Sequence, residues 1–316
     1  MFSKITIKLK LIILTVITAI GFLILIGLGQ NSIHKMHEAG VANGLVQHLD
    51  VEVLNLRKHE KDFLARKDMK YLDKFNKTMK KVYITEKQIE DISKDQGFVL
   101  EDLPVFFESV KLYDKKFQEL AKLQQKIGLH PKDGLYGALR ASVHKVQTYA
   151  KQKSDMTILA MVYDLRKQEK DFMLRSDLKY VDKFNSKLDK LLTKDISQNA
   201  KNNLQQYRKD FLALVEAEKM MGLNSNLGVL GEMRRIIHKT ANSMHHMEEV
   251  MVETLEGITE KVTFLSLVIA IVIMILIVGM IFFIAKNISL SINTFQKGLI
   301  GFFDYLNRKS STVTDL

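Results

Sequence analysis

Cysteine is absent from the 316 residues, which excludes disulfide scaffolds, thiolate zinc sites and thiol nucleophiles. Tryptophan is absent too, and two prolines and 16 glycines leave few places to turn. Alternating β-branched runs are missing, so no strand is expected. There is no His-Glu-x-x-His, no phosphate-cradling loop after a strand, no nucleophile elbow and no kinase signature, which points away from an enzyme and from a resident cofactor. Acidic residues are in deficit, with 36 Asp and Glu against 47 Lys and Arg and a formal charge of +11. What remains is rich in Leu, Lys, Glu and Met, all good helix formers. The expected fold class is all-α.

Two stretches carry no charge at all. Leu11–Gly29 has 19 residues and Thr263–Ala285 has 23, each close to the ~20 needed to cross ~30 Å of hydrocarbon as a helix. No small-x-small cleavage site follows the first before Gln30-Asn31, so it reads as an anchor rather than a signal peptide. Lys4, Lys8 and Lys10 precede the first stretch, and Lys286, Lys297, Arg308 and Lys309 follow the second, whereas Glu249, Glu253, Glu256 and Glu260 crowd its other end. Lys and Arg mark the cytoplasmic side. The expectation is a multi-pass cell-membrane protein with a cytoplasmic N-terminus at 1–10, spans at 11–29 and 263–285, an exported region at 30–262 and a cytoplasmic tail at 286–316. Six of the eleven net positive charges then fall outside the cytoplasm, where nucleic acid is not the expected partner and small anions are.

The exported region repeats itself. Leu56-Arg57-Lys58-His59-Glu60-Lys61-Asp62-Phe63 returns as Leu165-Arg166-Lys167-Gln168-Glu169-Lys170-Asp171-Phe172, and through Asn76 and Asn185 the two blocks agree at 15 of 21 positions. Further on, Tyr113 and Phe117 match Tyr207 and Phe211, and Gly134-x-x-Gly137-x-x-Arg140-x-x-x-His144-Lys145 matches Gly228-x-x-Gly231-x-x-Arg234-x-x-x-His238-Lys239. Repeats of this size are single supersecondary units that bury a shared face. The copies cover about 45–150 and 155–250.

Helical stripes run from Leu49 to Ile89 and from Leu159 to Leu191 with few interruptions. Breaks are expected at Asp95–Gly97, with Asp102 capping the next helix, at Gly128–Gly134, at Ser154-Asp155, near Asp195–Ser197 and at Gly222–Gly228. A final helix then runs from about residue 229 into the second span. If the chain reversed at Arg66–Asp68 and Arg175–Asp177, six helices of ~30–45 residues would form one layer. If it ran straight through, two long and four short helices would make two stacked four-helix bundles. The unbroken stripes favour the second, six-helix arrangement.

The paired Arg-x-x-Glu-Lys-Asp-Phe blocks and the Gly-x-x-Gly-x-x-Arg-x-x-x-His helix starts, lying between two spans, resemble the helical bimodular sensor domain of bacterial methyl-accepting chemotaxis receptors and of some sensor histidine kinases. The resemblance covers residues 30–262, and Ile292–Leu299 is similar to the segment linking such membrane helices to a signalling hairpin. It implies a homodimeric chemoreceptor in the bacterial inner membrane with a periplasmic domain. It also implies small carboxylates or a periplasmic binding protein as partner, and a chemotaxis kinase complex reached through a cytoplasmic part beyond Leu316. By resemblance, ligand contact falls to Arg57, Arg166 and Arg234. Arg140 follows as the first-copy partner of Arg234, with Arg66 and Arg175 as further candidates.

A planar guanidinium holds a carboxylate bidentately, so converging arginines suit such a ligand. Arg57 lies 28 residues past the first span and Arg234 lies 29 before the second, which at 1.5 Å per residue puts both ~42 Å along their helices. The plainer reading pairs Arg57 with Glu60 and Arg166 with Glu169 as local ion pairs. His34-x-x-His37 and His245-His246 with Met244 and Met247 do not present the three or four converging ligands of a metal site. The alternative function is a membrane-anchored helical interaction protein, or a histidine kinase sensor region, that docks a periplasmic protein.

Overall fold

The computed structural model describes residues 6–307. The fold is all-α: eight helices and no strand among the described residues. They are α1 (Ile7–Arg66), α2 (Lys70–Gln96), α3 (Asp102–Ile127), α4 (Gly134–Lys153), α5 (Met156–Arg175), α6 (Lys179–Leu192), α7 (Gln198–Met221) and α8 (Gly228–Leu306).

The chain divides into two units, one of residues 42–251 and one of 1–41 with 252–316. In the second, α1 and α8 each carry a window long and apolar enough to cross a membrane, with only 6% of it buried. Side chains such as Leu23 and Phe282 stand 67% and 72% exposed. Gly21 allows the two helices to approach, since a Cβ there would meet Ile273 Cγ2 at 3.2 Å. Ser32 and Ser266 face each other across the pair, Oγ to Oγ 3.4 Å.

Residues 42–251 hold one continuous core. Six helices were expected between the spans, and the finding is eight helical segments, because the chain does reverse at residues 67–69 and 176–178. The pairs across each turn show it: Lys81 on α2 reaches Glu52 on α1, and Lys187 on α6 reaches Asp164 on α5. Neither turn contains Gly or Pro. Instead Lys67 and Ser176 take up left-handed backbone at φ +50° and +53°. Asp68 and Asp177 then start the next helix by accepting the N–H of Lys70 (2.9 Å) and Lys179 (3.0 Å), the local bond that makes Asp a helix starter. The stripes continue through because both arms of each hairpin face the same core.

The helices form two four-helix bundles side by side rather than stacked. One is α4, α5, α6 and α7, closed by contacts between each neighbouring pair: Arg166 with Gln147, Lys187 with Asp164, Arg208 with Asp189, and Tyr136 with Glu218. The other takes α1, α2 and α3 with α8, which lies along α3 through Lys116–Glu232 and Asp102–His246. By the repeat, α5 to α8 correspond to α1 to α4, so the two copies have exchanged their fourth helices. Helix α3 packs on α4 and α7 and joins the bundles. Asp102 begins α3, but its carboxylate goes to His246 and makes no capping bond.

Each copy is built on the same aromatic knot. Phe117 packs edge-on against Phe63 (5.6 Å) and at 4.2 Å against Phe75, which also meets Tyr113. Phe211 repeats this with Phe172 (5.7 Å) and Phe184 (4.5 Å), with Tyr207 beside Phe184. Edge-to-face pairs of this kind add about 0.5–1.5 kcal/mol beyond area burial.

Candidate functional site

The repeated block places one carboxylate in each knot. Glu60 and Glu169 are 6% and 2% exposed. Glu169 accepts the hydroxyl of Tyr207 at 2.6 Å and pairs with Lys170 at 3.0 Å. Glu60 accepts from Tyr113 and from Lys61 at 2.9 Å. A buried carboxylate is tolerable only with such donors. Burial, and next the facing carboxylate, drive the ionisation of Tyr113 and Tyr207 far above the usual phenol range. In place of the alternative Arg–Glu pairing, Lys and Tyr hold both carboxylates. Arg166 lies alongside instead, its Nη1 donating to Gln147 at 2.9 Å.

The two Gly-rich turns shape what lies above these carboxylates. Gly134 and Gly228 are left-handed, at φ +51° and +58°, where Gly costs least. A Cβ on Gly137 or Gly231 would sit 2.2 Å from a turn carbonyl, that of Lys132 or Asn226. The Gly-x-x-Gly pattern is therefore turn geometry and close approach.

Beside the first of these turns a cavity of about 490 Å³ opens between the N-terminal half of α4 and the C-terminal half of α5. Leu129, His130 and Pro131 of the α3–α4 turn border it, Leu139, Val143 and Met173 supply apolar wall, and Lys67 comes from the α1–α2 turn. Its charged lining is Lys67, Arg140, Arg166 and Lys170 against the one carboxylate of Glu169, with His144 nearby. Tyr136 closes the α7 side, its hydroxyl donating to Glu218 at 3.1 Å. Burial, with Glu218 beside it, raises that phenol as well. The volume lies within the ~300–1,000 Å³ of small-molecule sites. Lys67 and Arg166 are half-buried and Arg140 and Lys170 exposed, and with four cations against one carboxylate the recess attracts anions.

Of the six arginines expected at a site, the structure brings two together here, Arg140 and Arg166. Arg234 is held by its own turn, Nη1 donating to Ser225 (3.0 Å) and Asn226 (3.2 Å). Arg57 is exposed on α1, close enough to the Glu60–Tyr113 pair to favour the ionised phenol. Arg66 and Arg175 end their helices paired with Asp62 (3.6 Å) and Asp171 (3.7 Å). Lys67, Lys170 and Tyr136 were not singled out from sequence. Lys170 was legible as part of the repeated block, whereas Lys67 reaches the site only because the chain reverses just after Arg66.

No family model matches the chain, and neither a curated protein nor a solved structure matches it at a significant level. The geometry of the cavity therefore carries the functional reading.

Proposed function

We propose that the chain is the sensing and membrane-spanning part of a receptor for small organic carboxylates, bound in the α4–α5 cavity. The observation that carries this reading is the convergence of Arg140, Arg166, Lys67 and Lys170 on one recess of about 490 Å³. In the proposed complex Arg140 and Arg166 hold carboxylate oxygens bidentately, which Lys does not do. Lys170 neutralises Glu169 so that the wall does not repel the ligand, and Leu139, Val143 and Met173 accept its carbon skeleton.

The cationic excess favours di- and tricarboxylates over monocarboxylates. The proposed topology has both termini in the cytoplasm, from the lysines flanking the apolar segments, with the bundles outside. Signalling follows if the ligand binds one of two packings better, a coupling of typically 1–3 kcal/mol. Chemotaxis is the output implied by the family resemblance, with a second copy of the chain as partner.

A thermal-shift screen of the full chain in detergent tests the reading, with acetate, succinate and citrate as ligands. At about 100 times the dissociation constant a ligand adds ~2.7 kcal/mol of stability. Stabilisation by one of these acids in wild type, lost in Arg140→Gln and Arg166→Gln, supports the proposal. No shift with any acid in a folded protein overturns it in favour of docking to a protein partner.

A further inference from the structure

Lys67 differs from every other cation at the α1–α2 turn. Arg66 is tied to Asp62 on its own helix, and Lys70 to Asp68 at 2.9 Å. Both also lie over Tyr71. Lys67 turns the other way. Its left-handed backbone (φ +50°) sends the side chain across to α4, where Nζ sits 5.1 Å from the centre of the Tyr136 ring. Among the described residues it has no carboxylate partner. The second copy has Ser176 at the matching position in the same backbone conformation, φ +53°, so the turn does not need a lysine to form.

The ring that holds Lys67 is itself fixed. Tyr136 lines the cavity and its hydroxyl is bonded to Glu218 on α7. The ammonium thus rests on an aromatic face at the edge of a recess that offers no free anion of its own, since Glu169 is already engaged by Tyr207 and Lys170. A ring quadrupole attracts a cation less than a full negative charge does at the same range.

We propose that Lys67 is a ligand-recruited cation. An organic anion entering the cavity draws the ammonium off the Tyr136 ring into an ion pair, and the α1–α2 turn moves with it toward α4. Lysine suits the task because its long stem swings a compact charge. The ligand, held by Arg140 and Arg166 of one bundle, then takes hold of the C-terminal end of α1 in the other. Helix α1 is the same unbroken helix that contains Leu11–Gly29, so occupancy is communicated to the end of a helix that carries an apolar span. This inference rests on the carboxylate reading above and assigns its conformational readout.

The absence of native cysteine permits a clean distance measurement. Ala65 and Lys132 are exposed; Ala65 lies on α1 two residues before Lys67, and Lys132 follows Pro131 in the α3–α4 turn that borders the cavity. In the full chain in detergent, Ala65→Cys and Lys132→Cys carry nitroxide labels, and double electron–electron resonance is recorded with and without saturating citrate. Citrate affinity is measured on the same samples by calorimetry. The expected result is a shorter mean distance with citrate, retained in Lys67→Arg and lost in Lys67→Asn, which accepts left-handed backbone. Lys67→Asn also binds citrate about tenfold more weakly, as befits one lost charge-assisted contact. A distance change that persists in Lys67→Asn, or wild-type binding with no distance change, overturns the role of Lys67 and leaves the carboxylate site standing. If citrate does not bind, the acid that does takes its place as probe, and failure of acetate, succinate and citrate alike to bind wild type overturns both.

Discussion

Replacing Tyr207 by Phe removes one hydroxyl and nothing else from the second aromatic knot. Tyr207 is fully buried, and its hydroxyl donates at 2.6 Å to Glu169, itself 2% exposed. A hydrogen bond to a charged group contributes about 1.5–3 kcal/mol. Lys170 stays on the other oxygen at 3.0 Å and limits the damage, so a loss of about 2 kcal/mol is expected. For a unit of 150–250 residues each kcal/mol moves Tm by about 2–4 °C, giving a fall of roughly 4–8 °C at neutral pH. Circular dichroism melts of the full chain in detergent measure it.

The pH dependence supplies an independent check of the same hydrogen bond. The folded-state ionisation of Tyr207 is raised far above its ordinary value of 10.0. A raised pKa contributes stability that is fully present below the unfolded value and lost as pH rises past it. The wild type therefore loses stability above about pH 10, and the gap to Tyr207→Phe narrows as it does. A Tm within one degree of wild type at pH 7, or a gap that grows with alkalinity, refutes the buried Tyr–Glu pair.

Three other outcomes follow from the geometry. Gly231→Ala forces a Cβ to within 2.2 Å of the Asn226 carbonyl, so it lowers stability by about 1–3 kcal/mol, seen as a reduced melting temperature. Ser176→Gly relieves the left-handed turn between α5 and α6 and raises stability by up to about 1 kcal/mol; a chain running straight through residue 176 as helix would be destabilised by the same change. The His246–Asp102 pair raises the histidine pKa above 6.5, chiefly through its hydrogen bond to Asp102. Its contribution is therefore complete at pH 5 and lost as pH rises through the folded value. Melts of His246→Gln and wild type should differ at pH 5 and converge by pH 8.5.

Much of this architecture is written in the chain. The apolar runs, the duplication and five of the seven interhelical breaks are each signalled by a recognisable residue: Gly97, the two Gly-rich turns, Asp155 and Ser197. Asp155 accepts from Thr157 and Ile158, and Ser197 from Ala200. The reversals after Arg66 and Arg175 are harder to read, because no Gly or Pro marks them and a hairpin whose arms share one core continues a single stripe. Asp68 and Asp177, repeated in register, are the available signal. That missed reversal alters the site. With Lys67 and the α3–α4 turn brought to one end, the cavity falls on Arg140 and Arg166, on either side of the α4–α5 hairpin, while Arg57 and Arg234 are placed outside its lining. The exchange of fourth helices between the copies has no local sequence signature, since either pairing buries the same stripes.

Calorimetric titration of the full chain with citrate and succinate tests the central claim most directly, comparing Arg140→Gln and Arg166→Gln with Arg57→Gln and Arg234→Gln. The account predicts that the first two weaken binding at least tenfold, as loss of a bidentate contact does, while the second two bind as wild type does. Binding that survives in Arg140→Gln and Arg166→Gln, or that is lost in Arg57→Gln and Arg234→Gln instead, contradicts a carboxylate site between α4 and α5.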